Sequence, residues 1–171
     1  MHDFWTIRPM EAGEEEKVSA LVRRVFDLFV APEYEPEGVQ SFYRYIEPQC
    51  LRERAAKDHD ILLAFVDKTP VGVLELREGR HISLLFVDAM FQGRGIARAL
   101  LEEAIALARQ RDPQVAKITV NASPNSAFIY ERLGFRATGP RQSRDGIIFI
   151  PMEKPLEPLA AQGNISSEDA P

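Results

Sequence analysis

Apolar residues recur along this chain in two rhythms. At helical spacing, Val18, Leu21, Val22, Val25, Phe26 and Phe29 form one stripe, which predicts an amphipathic helix over Glu11–Val30. Ile96, Leu100, Leu101, Ala104, Ile105 and Ala108 form a second, closed by Asp112-Pro113. Shorter helical pieces are expected at Val39–Ile46, Leu51–Lys57 and Ser126–Leu133, the last ending at Gly134. Strand-like runs fall at Phe4–Arg8, Ile61–Val66, Val71–Arg77, His81–Val87, Ala116–Asn121, Phe135–Thr138 and Ile147–Met152. Pro151 predicts that the last strand ends at a sheet edge. Hairpins alternate with helical crossovers in this order, so the fold class expected is α/β of the α+β type, with a mixed sheet.

One stretch carries chemistry. Ile82–Val87 is a nearly unbroken apolar run, the mark of a strand buried on both faces. A tight Gln92-Gly93-Arg94-Gly95-Ile96-Ala97 turn follows and opens the second amphipathic helix. The first amides of a helix have no internal partners, and with the macrodipole they attract anions. Gly93 and Gly95 lack a Cβ, so a phosphate can approach the main chain, with Gln92 and Arg94 as further donors. The dinucleotide fingerprint GxGxxG is absent, because Arg98 stands where its third glycine belongs. The Walker A pattern is absent too.

Composition narrows the classes. With 171 residues, 45% hydrophobic and 27% charged, the chain fits one globular domain. No apolar run is long enough for a membrane span, and the N-terminus does not read as a secretory signal. Cys50 is the single cysteine, which excludes an intrachain disulfide and fits a reducing cytoplasm. Net charge is −5; three acids and no base lie from Pro155 onward, leaving −2 for the rest. Nucleic acid is disfavoured as a partner. The domain is expected to span residues 1–154, with 155–171 an acidic, disordered tail. In the middle region Glu33, Tyr34, Glu35, Glu37 and Tyr43 read first as a packed helix pair with a solvated linker, and second as a wall for a cationic amine. Glu14, Glu15 and Glu16 read as support for a helix dipole.

The run Q-x-x-G-x-A after a buried strand resembles the pyrophosphate motif of the GNAT superfamily, the acetyl-CoA-dependent N-acyltransferases. The later segment VNASPNSAFIYERLGFRATG resembles the second motif of that family. The resemblance extends from about Phe4 to Glu153 and is strongest from His81 to Gly139. It implies a splayed mixed sheet flanked by helices on both faces. It also implies acetyl-CoA as co-substrate, with pantetheine paired to main-chain groups at Phe86 and Val87. The diphosphate would rest on Gln92, Gly93, Arg94, Gly95, Ile96 and Ala97, and Asn125 and Tyr130 would hold the cofactor's far arm.

The activity so implied is transfer of an acetyl group to a primary amine by direct attack, without a metal. The acceptor is a small molecule or a peptide. An alkylammonium of pKa about 10.4 must lose a proton before it attacks. Tyr130 is the general acid that the resemblance implies. His81, eleven residues before Gln92, and Glu75 on the preceding strand are the two readings for a base, each balanced by a surface reading. His2 and His59 lie outside either motif. Two other classes stay open: a non-catalytic acyl-CoA-binding or sensing module, and a nucleotide-binding α/β domain. The assembly state is open as well, a homodimer included.

Overall fold

The computed structural model describes residues 4–159. The chain runs β1 (Thr6–Pro9), α1 (Glu15–Phe29), α2 (Pro36–Tyr45), α3 (Pro48–Ala55), β2 (His59–Val66), β3 (Thr69–Arg77) and β4 (His81–Val87). It continues through α4 (Ile96–Arg111), β5 (Lys117–Ala122), α5 (Ala127–Arg132), β6 (Arg136–Ala137), β7 (Gln142–Arg144) and β8 (Ile147–Pro155). Pro36 and Pro48 each sit in the first turn of a helix, where the missing N–H costs nothing. At the head of α1 the acidic run makes specific bonds. Glu14 accepts from the Glu11 amide at 2.7 Å and from both Arg8 terminal nitrogens at 2.8 Å. Glu15 is buried and accepts from Gly13 N at 2.9 Å.

The strands form a mixed sheet in the order β1-β2-β3-β4-β5-β8-β6, with β7 also on β8. Only β4 and β5 pair in parallel; the other pairs are antiparallel. Helices cover both faces, which explains the unbroken apolar runs. In β2, Leu62 and Ala64 join the core beneath α4, with Leu100, Leu101 and Ala104. Ile61, Leu63 and Phe65 join the core beneath α1, with Val18, Leu21 and Val22.

Three expectations are corrected. β8 is not an edge strand: it lies between β5 and the outer pieces β6 and β7. Pro151 is tolerated there because its carbonyl accepts from Thr138 N at 2.9 Å, so its main chain faces outward, where its missing N–H leaves the ladder to β5 intact. It also stands where the outer partner changes from β7, paired through Phe149, to β6, paired from Met152. The three-residue β7 has no apolar pattern and was not expected. The ordered domain also outlasts residue 154: Pro155 pairs with Lys117, Leu156 N donates to Ala116 O at 2.9 Å, and Arg109 holds Glu157 O at 2.7 Å. Residues 160–171, which hold most of the expected tail, lie outside the described residues.

The α2 helix meets the β7–β8 hairpin through two glycines. Glu35 N donates to Gly146 O at 3.0 Å, and a Cβ on Gly38 would overlap the Gly146 carbonyl. Gly146 itself has φ +81°, a conformation that L side chains rarely adopt. Gly38→Ala is therefore expected to force α2 off the hairpin and to cost about 1–3 kcal/mol, the usual cost of overpacking, measured as a lowered urea midpoint at unchanged slope.

Candidate active site

The β4 and β5 strands pair at only two positions, His81 with Thr119 and Ile82 with Val120. Beyond them the strands part. The gap is a cavity of about 500 Å³. Its walls come from Leu85–Val87 of β4, the end of α1, the Gln92–Arg98 turn and α5. A smaller chamber of about 80 Å³ continues inward, sharing Val30, Leu85, Phe86, Ser126 and Tyr130 with the first. Tyr34, Phe42, Ile82, Ser83, Val120, Asn121 and Ser123 complete it.

Strand geometry decides which main-chain groups face the gap. Asp88 N donates to Val71 O at 2.8 Å, so Asp88 is turned toward β3. Alternation then turns Phe86 toward its partner Val73, and leaves Leu85 and Val87 facing the gap. Phe86, expected to offer main-chain groups, turns them to β3 and brings its side chain to the cavity wall; the main-chain groups on the gap side are those of Leu85 and Val87. The Val87 carbonyl is already taken by Gln92 Nε2 at 3.0 Å, which leaves the Val87 amide. A one-residue phase in strand pairing cannot be read from an apolar run.

The glycine turn leaves the first amides of α4 unpaired. Gly93 has φ +76° and Gly95 has φ +92°, and Gly95 is the N-cap of α4. The amides of Gly95, Ile96, Ala97 and Arg98 find no acceptor among the described residues. A Cβ on Gly93 would stand in open space. Gln92, Gly93, Gly95, Ile96 and Ala97 line the cavity. Arg94 does not: its guanidinium stands over the rings of Phe4 and Phe91, 5.6 and 5.5 Å from their centroids. Two cations that the motifs did not point to do line the cavity, Arg98 and Arg132, joined by a 3.0 Å bond from Arg98 Nη2 to Arg132 O.

Tyr130 lines both chambers and is only 7% exposed. Burial first, and Tyr34 second, push its phenol well above the ordinary value, so it stays protonated at neutral pH. Tyr34 is pushed up to about 12, by burial and then by Glu33. Asn125 lines the cavity while its amide donates to Glu33 Oε1 at 2.9 Å, which ties the α1–α2 connection to the head of α5. Of the middle-region residues, Tyr34 thus reaches the inner chamber, whereas Tyr43 donates to Asp27 at 2.6 Å.

Neither residue read as a base lines either chamber. His81 stands at the closed end of the gap, its Nδ1 2.8 Å from Thr119 Oγ1. Five residues at about 3.3 Å each put it roughly 17 Å along β4 from Phe86. Burial, with help from Arg77, pushes its pKa down to about 4. Glu75 is 0% exposed, not solvent-facing. Its carboxylate accepts from Arg54 Nε at 2.6 Å and Nη2 at 3.2 Å, and His59 Nδ1 lies 2.6 Å from Oε1. Arg54 and His59 are distant in sequence and belong to neither motif. Among the described residues no three His, Cys, Asp or Glu side chains gather as a metal site would require. No helix among them is long and apolar enough to cross a membrane.

A parallel strand pair that opens above a glycine-capped helix is the framework of one enzyme class, and the comparisons name it. The family model described as acetyltransferase (GNAT) domain matches residues 30–156, and the chain belongs to that family of acetyltransferases. An uncharacterized N-acetyltransferase, YafP of Escherichia coli K12, is 28% identical over 130 residues, 76% of this chain and 80% of that one. The peptidyl-lysine N-acetyltransferase YjaB of the same strain is 27% identical over 137 residues, 78% and 84% of the two chains. Among solved structures, a GCN5-related N-acetyltransferase from Rhodopseudomonas palustris has a TM-score of 0.77 at 22% identity, covering 91% of this chain and 98% of that one. The paiA N-acetyltransferase of Thermoplasma acidophilum in complex with coenzyme A has a TM-score of 0.71 at 23% identity, covering 89% and 99%.

Two outcomes follow for the residues that left the site. Glu75→Ala leaves the Arg54 guanidinium buried and unpaired, and is expected to cost about 3–5 kcal/mol in urea unfolding. For His81, the folded state holds the pKa below the ordinary 6.5, so the unfolded chain binds the proton more readily. Its contribution to stability is complete above pH 6.5 and falls as pH drops toward 4. His81→Gln is expected to flatten that limb of a stability–pH curve.

Proposed function

We propose that the protein moves an acetyl group from acetyl-CoA to a primary alkyl amine by direct attack in the gap between β4 and β5. The observation that carries this reading is the two-residue β4–β5 pairing, which leaves an unpaired strand edge leading to the unpaired amides of α4. In this reading the diphosphate rests on the amides of Gly95–Arg98, with Gln92 and Gly93 beside it and Arg98 and Arg132 at its flank. Pantetheine runs along β4 like an added strand, bonded to the free main-chain groups of Leu85 and Val87. The thioester then lies where the cavity meets the inner chamber, and the unpaired Val87 amide on the cavity wall serves as donor for a developing oxyanion.

Coenzyme A in the Thermoplasma neighbour and the lysine acceptor in the name of YjaB support the two substrates. Among the described residues no carboxylate or imidazole lines the inner chamber. The amine therefore loses its proton to water on entry, and His81 and Glu75 serve the fold. The neutral nitrogen attacks the carbonyl carbon, the C–S bond breaks as Tyr130 gives its proton to the departing sulfur, and the proton the nitrogen sheds on becoming an amide returns to the Tyr130 phenolate. Burial keeps the phenol protonated at neutral pH, as proton donation requires.

The test is thiol release from acetyl-CoA over a panel of amines, run on the wild type and on Tyr130→Phe. The variant is expected to bind CoA as the wild type does and to turn over about 10²–10⁴-fold more slowly. Equal turnover removes Tyr130 from the mechanism. CoA binding with no turnover of any amine by the wild type points instead to a binding or sensing module.

A further inference from the structure

The β4 strand carries a bulge. Glu75 pairs with Leu84 and Leu76 with Ile82, which leaves Ser83 without a partner on β3. The side chains confirm it: Ile82 belongs to the core beneath α4 and Leu84 to the core beneath α1, although regular alternation would put both on one face. The bulge falls at the residue after the last β4–β5 pair, and it turns Ser83 into the wall of the inner chamber.

Ser83 Oγ is shut off from solvent and has no hydrogen-bond partner among the described residues. The Tyr45 hydroxyl approaches it without reaching hydrogen-bond geometry. A buried hydroxyl left in this state calls for a missing partner. The other small hydroxyls of the chamber are satisfied, since Ser123 and Ser126 bond each other at 2.7 Å. Tyr34, Phe42, Phe86 and Val120 make the rest of the wall largely apolar and aromatic. An amine arriving there uses its lone pair for attack, and its N–H groups need acceptors. Ser83 Oγ, enclosed behind this wall, is the unspent acceptor on the β4 side, and it must turn about χ1 to meet the amine.

We propose that Ser83 holds the acceptor nitrogen, accepting a hydrogen bond from its N–H and aiming the lone pair at the thioester carbon. This rests on the acetyltransferase reading above and adds to it the group that recognises the amine. A hydroxyl on a bulge of the strand that also carries the cofactor edge fixes both reactants to one element, so their separation is set by the backbone.

Three variants test it, with Nα-acetyl-lysine amide and hexylamine as probe acceptors. Ser83→Thr keeps the hydroxyl; Ser83→Val has the volume of threonine without it; Ser83→Ala removes the hydroxyl and adds no volume, should valine fail to fold. Thr is expected within about 3-fold of the wild type, and Val and Ala to lose about 10-fold or more in kcat/KM for the amine, as for one lost hydrogen bond. KM for acetyl-CoA and CoA affinity should be the same in all four proteins, which a general distortion of β4 would not allow. Equal kinetics for Thr and Val, or an unchanged Ala variant, overturns the proposal and leaves the acetyltransferase reading standing; the hydroxyl then holds only a water. A wild type that acetylates neither probe nor any other amine overturns the acetyltransferase reading, and this proposal with it.

Discussion

The active-site gap exists because one parallel strand pair stops early. β4 and β5 share two residue pairs, and the next residue of β4 is a bulge. Bulges bend a strand and sharpen its twist. Each strand is held on its far side, β4 by β3 and β5 by β8, so the sheet stays continuous while its middle opens. Backbone groups at the open edge are left without partners, a state the interior normally forbids. The unbonded edge of β4 and the unbonded amides at the head of α4 thus border the same gap from two sides.

Local patterns made the frame of this fold legible. The strand His81–Val87 and the helix Ile96–Arg111 begin and end where the apolar rhythm and the glycine turn put them. The splay, the helices on both faces and the acetyltransferase class followed from the resemblance of two motifs and agree with the fold. What escaped was nonlocal. Ser83 is special only because β4 gains a residue on β3, and Leu85 rather than Phe86 faces the gap through a phase set by the same pairing. Glu75 reads as half-exposed until Arg54, from a helix 21 residues earlier, closes over it. His81 lies in the right strand but at its sealed end, a distinction of distance that a motif does not carry. Pro151 reads as an edge until the outer partner of β8 is seen to change there.

The charged interior follows a common logic. Glu75 is balanced by the fork of Arg54, which also donates to Tyr45 O at 2.7 Å and stands 3.6 Å over the Tyr45 ring. An Arg can meet a carboxylate, a carbonyl and an aromatic face at once because its guanidinium is planar and always charged. This cluster ties α2 and α3 to β3, on the side of the sheet from which the wall of the inner chamber is built. Among the described residues no charged side chain lines the inner chamber, so a field from backbone amides acts there with little screening.

Trp5 packs against the glycine turn, its Cη2 3.7 Å from where a side chain on Gly95 would begin. It is the only tryptophan in the chain. The same N-terminal stretch supplies Phe4, which meets Trp5 edge-on at 4.8 Å between centroids. The molecule therefore carries one indole fluorophore, seated against its glycine turn. Its emission is a label-free report on the surroundings of that turn, with no competing indole to subtract.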